Sequence, residues 1–134
     1  MNKTTFAMIG CALLVLLAML GCSNSTNPLA PFQPQISNSP DNFQFQATGL
    51  QNVNANVSYN WSNSGSQATV NHSSTVNSGT AMLFIYDAND SLVYSSALVA
   101  SLNEPTQAGL TGTWKVRVTL TNCYGTLNFR AQKL

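Results

Sequence analysis

The sequence predicts an all-β protein: an antiparallel β-sandwich of about seven strands, preceded by a signal helix that is cleaved off and by a disordered tether. Three observations support this prediction. Apolar and polar residues alternate with a period of two from residue 43 onward, turn-forming residues recur every ~8–12 positions, and no helical period follows the first 22 residues. The predicted units are residues 1–21, 22–42 and 43–134: signal peptide, tether and folded domain.

The N-terminal segment has the layout of a secretory signal peptide. One positive charge, Lys3, precedes an uncharged and mostly apolar run from Phe6 to Gly21, which ends at Cys22. The end of this run resembles the lipobox of bacterial lipoproteins, and the residues that carry the resemblance are Leu17, Ala18, Met19, Leu20, Gly21 and Cys22. It implies that the chain is cut before Cys22, which then bears a diacylglycerol and an amide-linked acyl chain. More than one lipid chain is what stable anchoring requires.

Such an anchor implies a place in the cell envelope. Lipoproteins kept at the inner membrane often carry Asp after the cysteine, and this chain carries Ser23. The resemblance therefore favours the outer membrane, on its periplasmic face or at the cell surface. Two alternatives are a transmembrane helix, which needs about 20 apolar residues, and an ordinary cleaved signal that leaves Cys22 as a free thiol. The apolar run is shorter than a membrane span, and Gly10 interrupts it.

Residues 22–42 have the composition of a flexible linker. Pro, Ser and Asn dominate this segment, which keeps a chain extended and poorly packed. We expect it to hold the domain away from the membrane. The pattern predicts no structure for the few apolar residues of this segment, which are Leu29, Phe32 and Ile36.

Seven strands and their turns follow from the alternation. The predicted strands are residues 43–48, 53–62, 68–72, 80–86, 92–99, 114–120 and 127–131. Turns are predicted at residues 63–66, 77–79, 87–91 and 122–125, with a long loop over 100–112. Trp61 and Trp114 are assigned to the core. Short strands at this spacing indicate a sandwich of jelly-roll or immunoglobulin-like type.

Strand 80–86 is apolar on both faces. Ala81, Leu83 and Ile85 point one way, and Met82, Phe84 and Tyr86 point the other, so the pattern does not choose the buried face. With a five-residue loop, Phe84 is predicted to pair with Tyr94, and Tyr86 with Leu92. If this face is exposed, Phe84, Tyr86 and Tyr94 form an aromatic platform suited to sugar rings or protein partners. If it is buried, they are packing residues.

The last two predicted strands can be aligned as a hairpin around Asn122–Gly125. Val118 then faces Phe129 on the apolar side, and this register agrees with the apolar residues on both strands. The same register places Arg117 opposite Arg130 on the outer face. Because like charges in direct opposition repel each other, an acid or an anionic ligand is expected near them, and both arginines are candidate binding residues.

Charge is scarce and balanced after Cys22. The segment after Cys22 has equal numbers of acidic and basic residues. The acids are Asp41, Asp87, Asp90 and Glu104, and the bases are Lys115, Arg117, Arg130 and Lys133. A neutral chain is a poor match for nucleic acid, whose binding depends on clustered bases. Of three cysteines, one lies in the signal and one is the lipid site, so no disulfide is expected within the domain. Cys123 is interpreted as a small core residue, with a reactive thiol or an intermolecular bridge as the alternative.

The residues that could carry chemistry are few. His72 is the only histidine, and it continues the apolar register of its strand, so a sheet residue is favoured over a catalytic base. One histidine and one available cysteine cannot form a zinc site. Asp87, Asn89 and Asp90 carry oxygen ligands on one turn, but they are too few to fill a calcium site, and Asp and Asn also favour turns. No cofactor is predicted.

Two segments of the domain resemble the bacterial pre-peptidase C-terminal domain and the related P domain of proprotein convertases. They are Phe84 to Tyr94 and Ala108 to Val118, a strand, an Asp/Asn turn, a second strand, and Gly-Thr-Trp leading into an alternating strand. The resemblance implies a jelly-roll-like sandwich attached to a secreted enzyme, and this chain lacks the peptidase. Our leading expectation is an anchored, non-catalytic binding or structural module whose partners are envelope proteins or glycans. A carbohydrate-binding module or a hydrolase using His72 are the alternatives.

Overall fold

The computed structural model of the protein describes residues 27–134, so the predicted signal peptide and the lipid site at Cys22 lie outside the described residues. This part contains one short 3₁₀-helix and seven antiparallel strands, which confirms the predicted all-β class. The helix is Ala30–Phe32, and the strands are β1 Gln35–Ser39, β2 Asn42–Asn63, β3 Ala68–Ser73, β4 Thr75–Tyr86, β5 Leu92–Ala97, β6 Ser101–Pro105 and β7 Gly112–Lys133. No helix within residues 27–134 is long and apolar enough to cross a membrane.

Two strands of 22 residues, β2 and β7, form the centre of the sheet. They pair with each other from Asn42 opposite Gln132 to Asn63 opposite Gly112. On its other edge β7 pairs with β3 through its C-terminal part and with β4 through its N-terminal part. The sheet therefore has two halves that share β2 and β7. One runs β1-β2-β7-β3-β6, and the other continues from β7 to β4 and β5.

The β2–β7 ribbon bends back on itself, so that its two halves face each other as a sandwich. A straight strand would hold Phe43 and Tyr59 roughly 50 Å apart, yet their ring centroids are 5.6 Å apart. The Asp41 N–H also donates to the Ser62 carbonyl at 2.8 Å, which brings the two ends of β2 together. Register shifts between Ala47 and Ala55 mark the bend, because extra residues in one strand kink and twist a ladder.

The core fills the space between the halves with the inward residues of each strand. Its largest fully buried members include Leu29, Phe43, Phe45, Trp61, Leu83, Ile85, Trp114, Leu127 and Phe129. Phe45 and Phe129 stack at 5.2 Å, and Trp61 meets Trp114 edge to face at 5.8 Å. Burial of both tryptophans confirms their predicted place in the core.

The hairpin predicted at residues 122–125 is wrong, since β7 runs straight through it. Asn122 and Gly125 have φ of 43° and 138° and belong to an irregular stretch of a continuous strand. Val118 lies opposite Val57 and Leu83 instead of Phe129. Residues 43–48 and 53–62 likewise merge into β2. The turn residues were identified, but Asn and Gly also serve β-bulges, where the strand continues without reversing.

The ordered domain begins further upstream than the boundary predicted at residue 43. Leu29 is fully buried, and β1 pairs with β2, with Ile36 opposite Phe45. The Trp61 indole N–H donates to the Ser39 carbonyl at 3.2 Å. All five residues of β1 are exposed, so this strand has no buried apolar face, and its sequence has no apolar alternation that could have predicted it.

Candidate functional site

The structure brings together three of the five side chains proposed as binding residues. Phe84, Tyr86 and Arg117 lie side by side on the outer face of the β4–β7 half, while the inner face of β4 is buried at Ala81, Leu83 and Ile85. The sequence pattern did not show which face of β4 is buried, and the structure shows that it is the inner face, with Ala81, Leu83 and Ile85. Tyr94 and Arg130 lie elsewhere.

Pairing between β4 and β7 builds the candidate surface. Phe84 lies opposite Arg117, and Tyr86 lies opposite both Lys115 on β7 and Leu92 on β5. We call Phe84, Tyr86, Leu92, Lys115 and Arg117 the outer-face patch. Apart from Leu92, which is 50% exposed, its members are half-buried, so the patch offers both apolar and charged atoms to solvent.

Two cations lie against the Tyr86 ring. The Arg117 guanidinium carbon is 5.0 Å from the ring centroid, and its Nη1 donates to the Tyr86 hydroxyl at 3.3 Å. The Lys115 ammonium is 5.7 Å from the same centroid. Cation–π contacts at such exposed sites contribute about 0.5–1 kcal/mol each. They therefore fix the orientation of the ring more than they stabilise the fold.

The two cations differ in their remaining contacts. Lys115 forms a salt bridge with Asp90 at 2.6 Å, which offsets its charge. Arg117 forms no salt bridge with any residue that the structure describes. The patch therefore presents one guanidinium that is held in place by an aromatic ring and is free to accept an external carboxylate or phosphate partner.

Tyr94 faces the core because β5 contains a bulge. Tyr86 pairs with Leu92 as predicted, but a register shift follows, so Ile85 pairs with Tyr94 and Phe84 with Ser95. Val93 and Tyr94 are both buried, at 5% and 7% exposure. Burial raises the pKa of the Tyr94 phenol. The predicted Phe84–Tyr94 pair is wrong, because a shift of one residue moves a side chain to the opposite face.

Arg130 lies on the other half of the sheet. It sits between Gln44 of β2 and Asn71 of β3, on the part of β7 beyond the bend. The predicted opposition of Arg117 and Arg130 is therefore wrong, since β7 does not fold back between them. Their shared outer face required the hairpin that the structure lacks.

Asp87 organises the turn between β4 and β5. Its Oδ1 accepts the backbone N–H groups of Asn89 and Ser91, and its Oδ2 accepts that of Leu110, each at 2.9 Å. Bonds from the Leu110, Ser91 and Asn89 N–H groups hold the pKa of the Asp87 carboxyl below its ordinary value, against the opposing effect of burial. These bonds fit the turn interpretation of Asp87, and no cluster of three metal-ligating acids, histidines or cysteines occurs within residues 27–134.

Acid should weaken the fold through Asp87. A carboxyl whose pKa is lowered by folding stabilises the native state fully above its unfolded value, near 3.8, and this contribution is lost as the pH falls through the lower folded pKa. We expect the urea midpoint to drop below about pH 4, with a smaller drop in Asp87→Asn. Asp90→Asn, which removes a neighbouring carboxylate that is bonded to Lys115 and to no backbone N–H group, is the control. Identical pH profiles for the wild type and Asp87→Asn would contradict this role.

His72 and Cys123 are both core residues. His72 is 1% exposed, opposite Phe129 and Leu102, and neither ring nitrogen has a hydrogen-bond partner among the described residues. A general base must reach both its nucleophile and the substrate, which this ring does not. Cys123 is fully buried, and burial raises the pKa of its thiol, so the thiolate needed for reactivity is disfavoured.

One further concave feature was missed from the sequence. An open cleft of about 640 Å³ lies at the bend of the ribbon, where irregular stretches of β2 and β4 flank β7. Residues 122–125 were predicted to form a turn, so Tyr124 received no role. The tyrosine in that segment was the available signal, because turns favour Gly, Pro, Asn, Asp and Ser over aromatic residues.

No family model matches the chain, and a search of curated proteins found no match. The two resemblances noted from the sequence therefore stay predictions.

Proposed function

We propose that the protein is a lipoprotein anchored at the outer membrane, whose β-sandwich is a non-catalytic binding module of the cell envelope. The outer-face patch is its contact surface, and the partner is an envelope protein. The observation that carries the proposal is the placement of Arg117 over the Tyr86 ring, beside Phe84 and with no salt bridge to any described residue.

The patch differs in chemistry from the rest of the surface. The described residues carry few charges and many Asn, Ser, Thr and Gln side chains, which make a polar but unremarkable exterior. Tyrosine and arginine are the residues most often found as energetic anchors of protein interfaces. A fixed guanidinium also loses less conformational entropy on binding than a mobile one. The patch therefore combines the residue types and the rigidity that a protein contact needs.

A sugar-binding role for the same face has less support. The platform predicted from Tyr86 and Tyr94 requires both rings on the outside, and Tyr94 is in the core. The Arg117 guanidinium further lies over the Tyr86 ring, where a sugar would have to stack. A protein partner with an acidic group opposite Arg117 fits this geometry better.

The anchor is tested by Cys22→Ala. We expect this variant to incorporate no lipid and to stay unprocessed or leave the membrane fraction, because the thiol is the attachment point that the lipobox resemblance implies. Labelled palmitate uptake and membrane fractionation measure both effects. Cys11→Ala, which removes the other cysteine of the apolar run, is the matched control and should behave as the wild type. Normal membrane retention of Cys22→Ala would refute the anchor.

The contact surface is tested by site-specific photo-crosslinking in cells. A photoreactive amino acid replaces Ser58, the exposed residue opposite Arg117, or Asn71, the exposed residue opposite Arg130 on the other half. We expect position 58 to capture one envelope protein and position 71 to capture none. Arg117→Glu should reduce the yield about tenfold, equivalent to ~1.4 kcal/mol of binding free energy, whereas Arg130→Glu should leave it unchanged.

Two outcomes would contradict the proposed surface. Equal capture from positions 58 and 71 would mean that binding is not confined to this face. An unchanged yield in Arg117→Glu would mean that the guanidinium makes no contact with the partner. Capture of a glycan at position 58 would replace the protein partner by a carbohydrate and revive the sugar-binding alternative.

A further inference from the structure

The cleft at the bend is an open, shallow concavity, separate from the outer-face patch. Its walls are residues of β2 and β4, and β7 runs between them. The principal lining side chains are Leu50, Gln51, Asn77, Ser78, Tyr124 and Thr126. Its volume of about 640 Å³ lies within the range of roughly 300–1,000 Å³ typical of small-molecule sites. Along β7 it is roughly 20 Å from Arg117.

Beside the cleft, a reciprocal pair of asparagine hydrogen bonds holds β7 against β2. Asn122 has a φ of 43°, in the left-handed region that costs most residues energy. Its backbone N–H donates to the Asn54 side-chain oxygen at 2.9 Å, and the Asn54 amide donates back to the Asn122 side chain at 3.1 Å. The two bonds tie β7 to β2 two residues before Tyr124.

The chemistry of the lining is neutral and rich in hydrogen-bonding groups. None of the lining residues carries a charge. Gln51 and Asn77 each offer an amide donor and acceptor, and Ser78 and Thr126 offer hydroxyls. Tyr124 is 39% exposed and supplies the one large aromatic ring, while Leu50 is buried. A peptide would find few apolar pockets here, and an anion would find no cation.

We infer that this cleft binds a neutral saccharide, with one sugar ring stacked on Tyr124 and its hydroxyl groups bonded by Gln51, Asn77 and the neighbouring hydroxyls. The flat apolar face of a sugar ring matches an exposed aromatic ring, and its vicinal hydroxyls match paired amide groups. This site does not depend on the proposed protein contact at the outer-face patch.

The test is a titration of the full-length chain, purified in a detergent without a sugar headgroup and followed by two-dimensional nitrogen–proton NMR. Cellotriose, maltotriose, mannotriose and chitotriose are the neutral probes, added up to about 10 mM so that millimolar dissociation constants are detected. Trigalacturonate is the acidic comparison. We expect saturable shifts at Gln51, Asn77 and Tyr124 with at least one neutral probe and none with trigalacturonate.

Two variants assign the effect to the ring. Tyr124→Ala should weaken binding about tenfold or more, whereas Tyr124→Phe keeps the stacking surface and should bind within about threefold of the wild type. Both should unfold in urea close to the wild type, since the side chain is partly exposed. The inference is overturned if no neutral probe shifts the cleft residues or if Tyr124→Ala binds as well as the wild type. Preference for trigalacturonate would also overturn it. Crosslinking at position 58 is measured separately, so either proposal can fail alone.

Discussion

Replacing Trp114 by alanine is expected to lower the free energy of unfolding by about 3–5 kcal/mol, a large part of the total stability of a domain this size. Trp114 is fully buried, packs edge to face with Trp61 at 5.8 Å, and donates its indole N–H to the Leu110 carbonyl at 2.7 Å. The substitution removes a large apolar surface, leaves a cavity, and removes the shorter of the two hydrogen bonds to the Leu110 carbonyl, which keeps only the 3.4 Å bond from the Ala88 N–H. Each of these changes lowers the free energy of unfolding.

Trp114→Phe keeps part of the packing and removes the hydrogen bond to Leu110. The phenyl ring fills part of the space and cannot donate to Leu110, so we expect a smaller loss of about 1–3 kcal/mol. Tyr124→Ala, at a half-exposed position of the same strand, is the control for aromatic removal without a cavity. Urea unfolding followed by circular dichroism measures all three. A loss below about 1 kcal/mol in Trp114→Ala would show that the ring is not buried.

Period-two alternation predicted much of this fold because most strands have one buried face. The inward residues of β2 and β7 were identified correctly, and so were both tryptophans. Strands β1 and β6 were not predicted, for the same reason: β1 is exposed throughout, and β6 has 5 residues with a mostly exposed pattern. A pattern that reports burial carries no information about a strand that buries nothing.

Turns and bulges were confused because they use the same residues. Asn122 and Gly125 were expected to reverse the chain, and they instead bend a strand that continues. The apolar alternation agrees with both structures, since it is preserved across the irregular stretch. Only the pairing with strands distant in sequence decides between a hairpin and a continuous strand. β7 pairs with β2 along one edge and with β3 and β4 along the other, so its two halves have no free edges along which they could pair with each other.

Part of the candidate site could be predicted from the sequence, and the rest could not, for the same physical reasons. Phe84 and Tyr86 share a face because they are two residues apart on one strand, which the sequence shows directly. Arg117 joins them through the pairing of β4 with β7, a long-range contact that no local pattern encodes. The prediction for Tyr94 failed because a one-residue bulge in β5 turns its side chain to the buried face. Local periodicity thus predicted correctly which residues share a face within one strand. It failed wherever a contact depended on the pairing register between strands.

The bend itself is tested by Gly79→Ala, for which we expect a loss of about 2–5 kcal/mol in the free energy of unfolding. Gly79 has a φ of 75°, and a Cβ there would lie 2.1 Å from the Asn122 carbonyl oxygen and 2.4 Å from that of Thr121. These are backbone atoms in the irregular stretch of β7, so β4 and β7 would have to move apart where the ribbon turns. Urea unfolding measures the loss.

Gly49→Ala provides a closely matched control. Gly49 has a φ of 66°, and a Cβ there would meet no atom within 4 Å. It therefore bears the conformational cost of the left-handed region, roughly 1–2 kcal/mol, without the steric clash. The difference between the two variants isolates the close approach of β4 to β7 at the bend. If Gly79→Ala were no more destabilising than Gly49→Ala, the two strands would not be in tight contact at the bend.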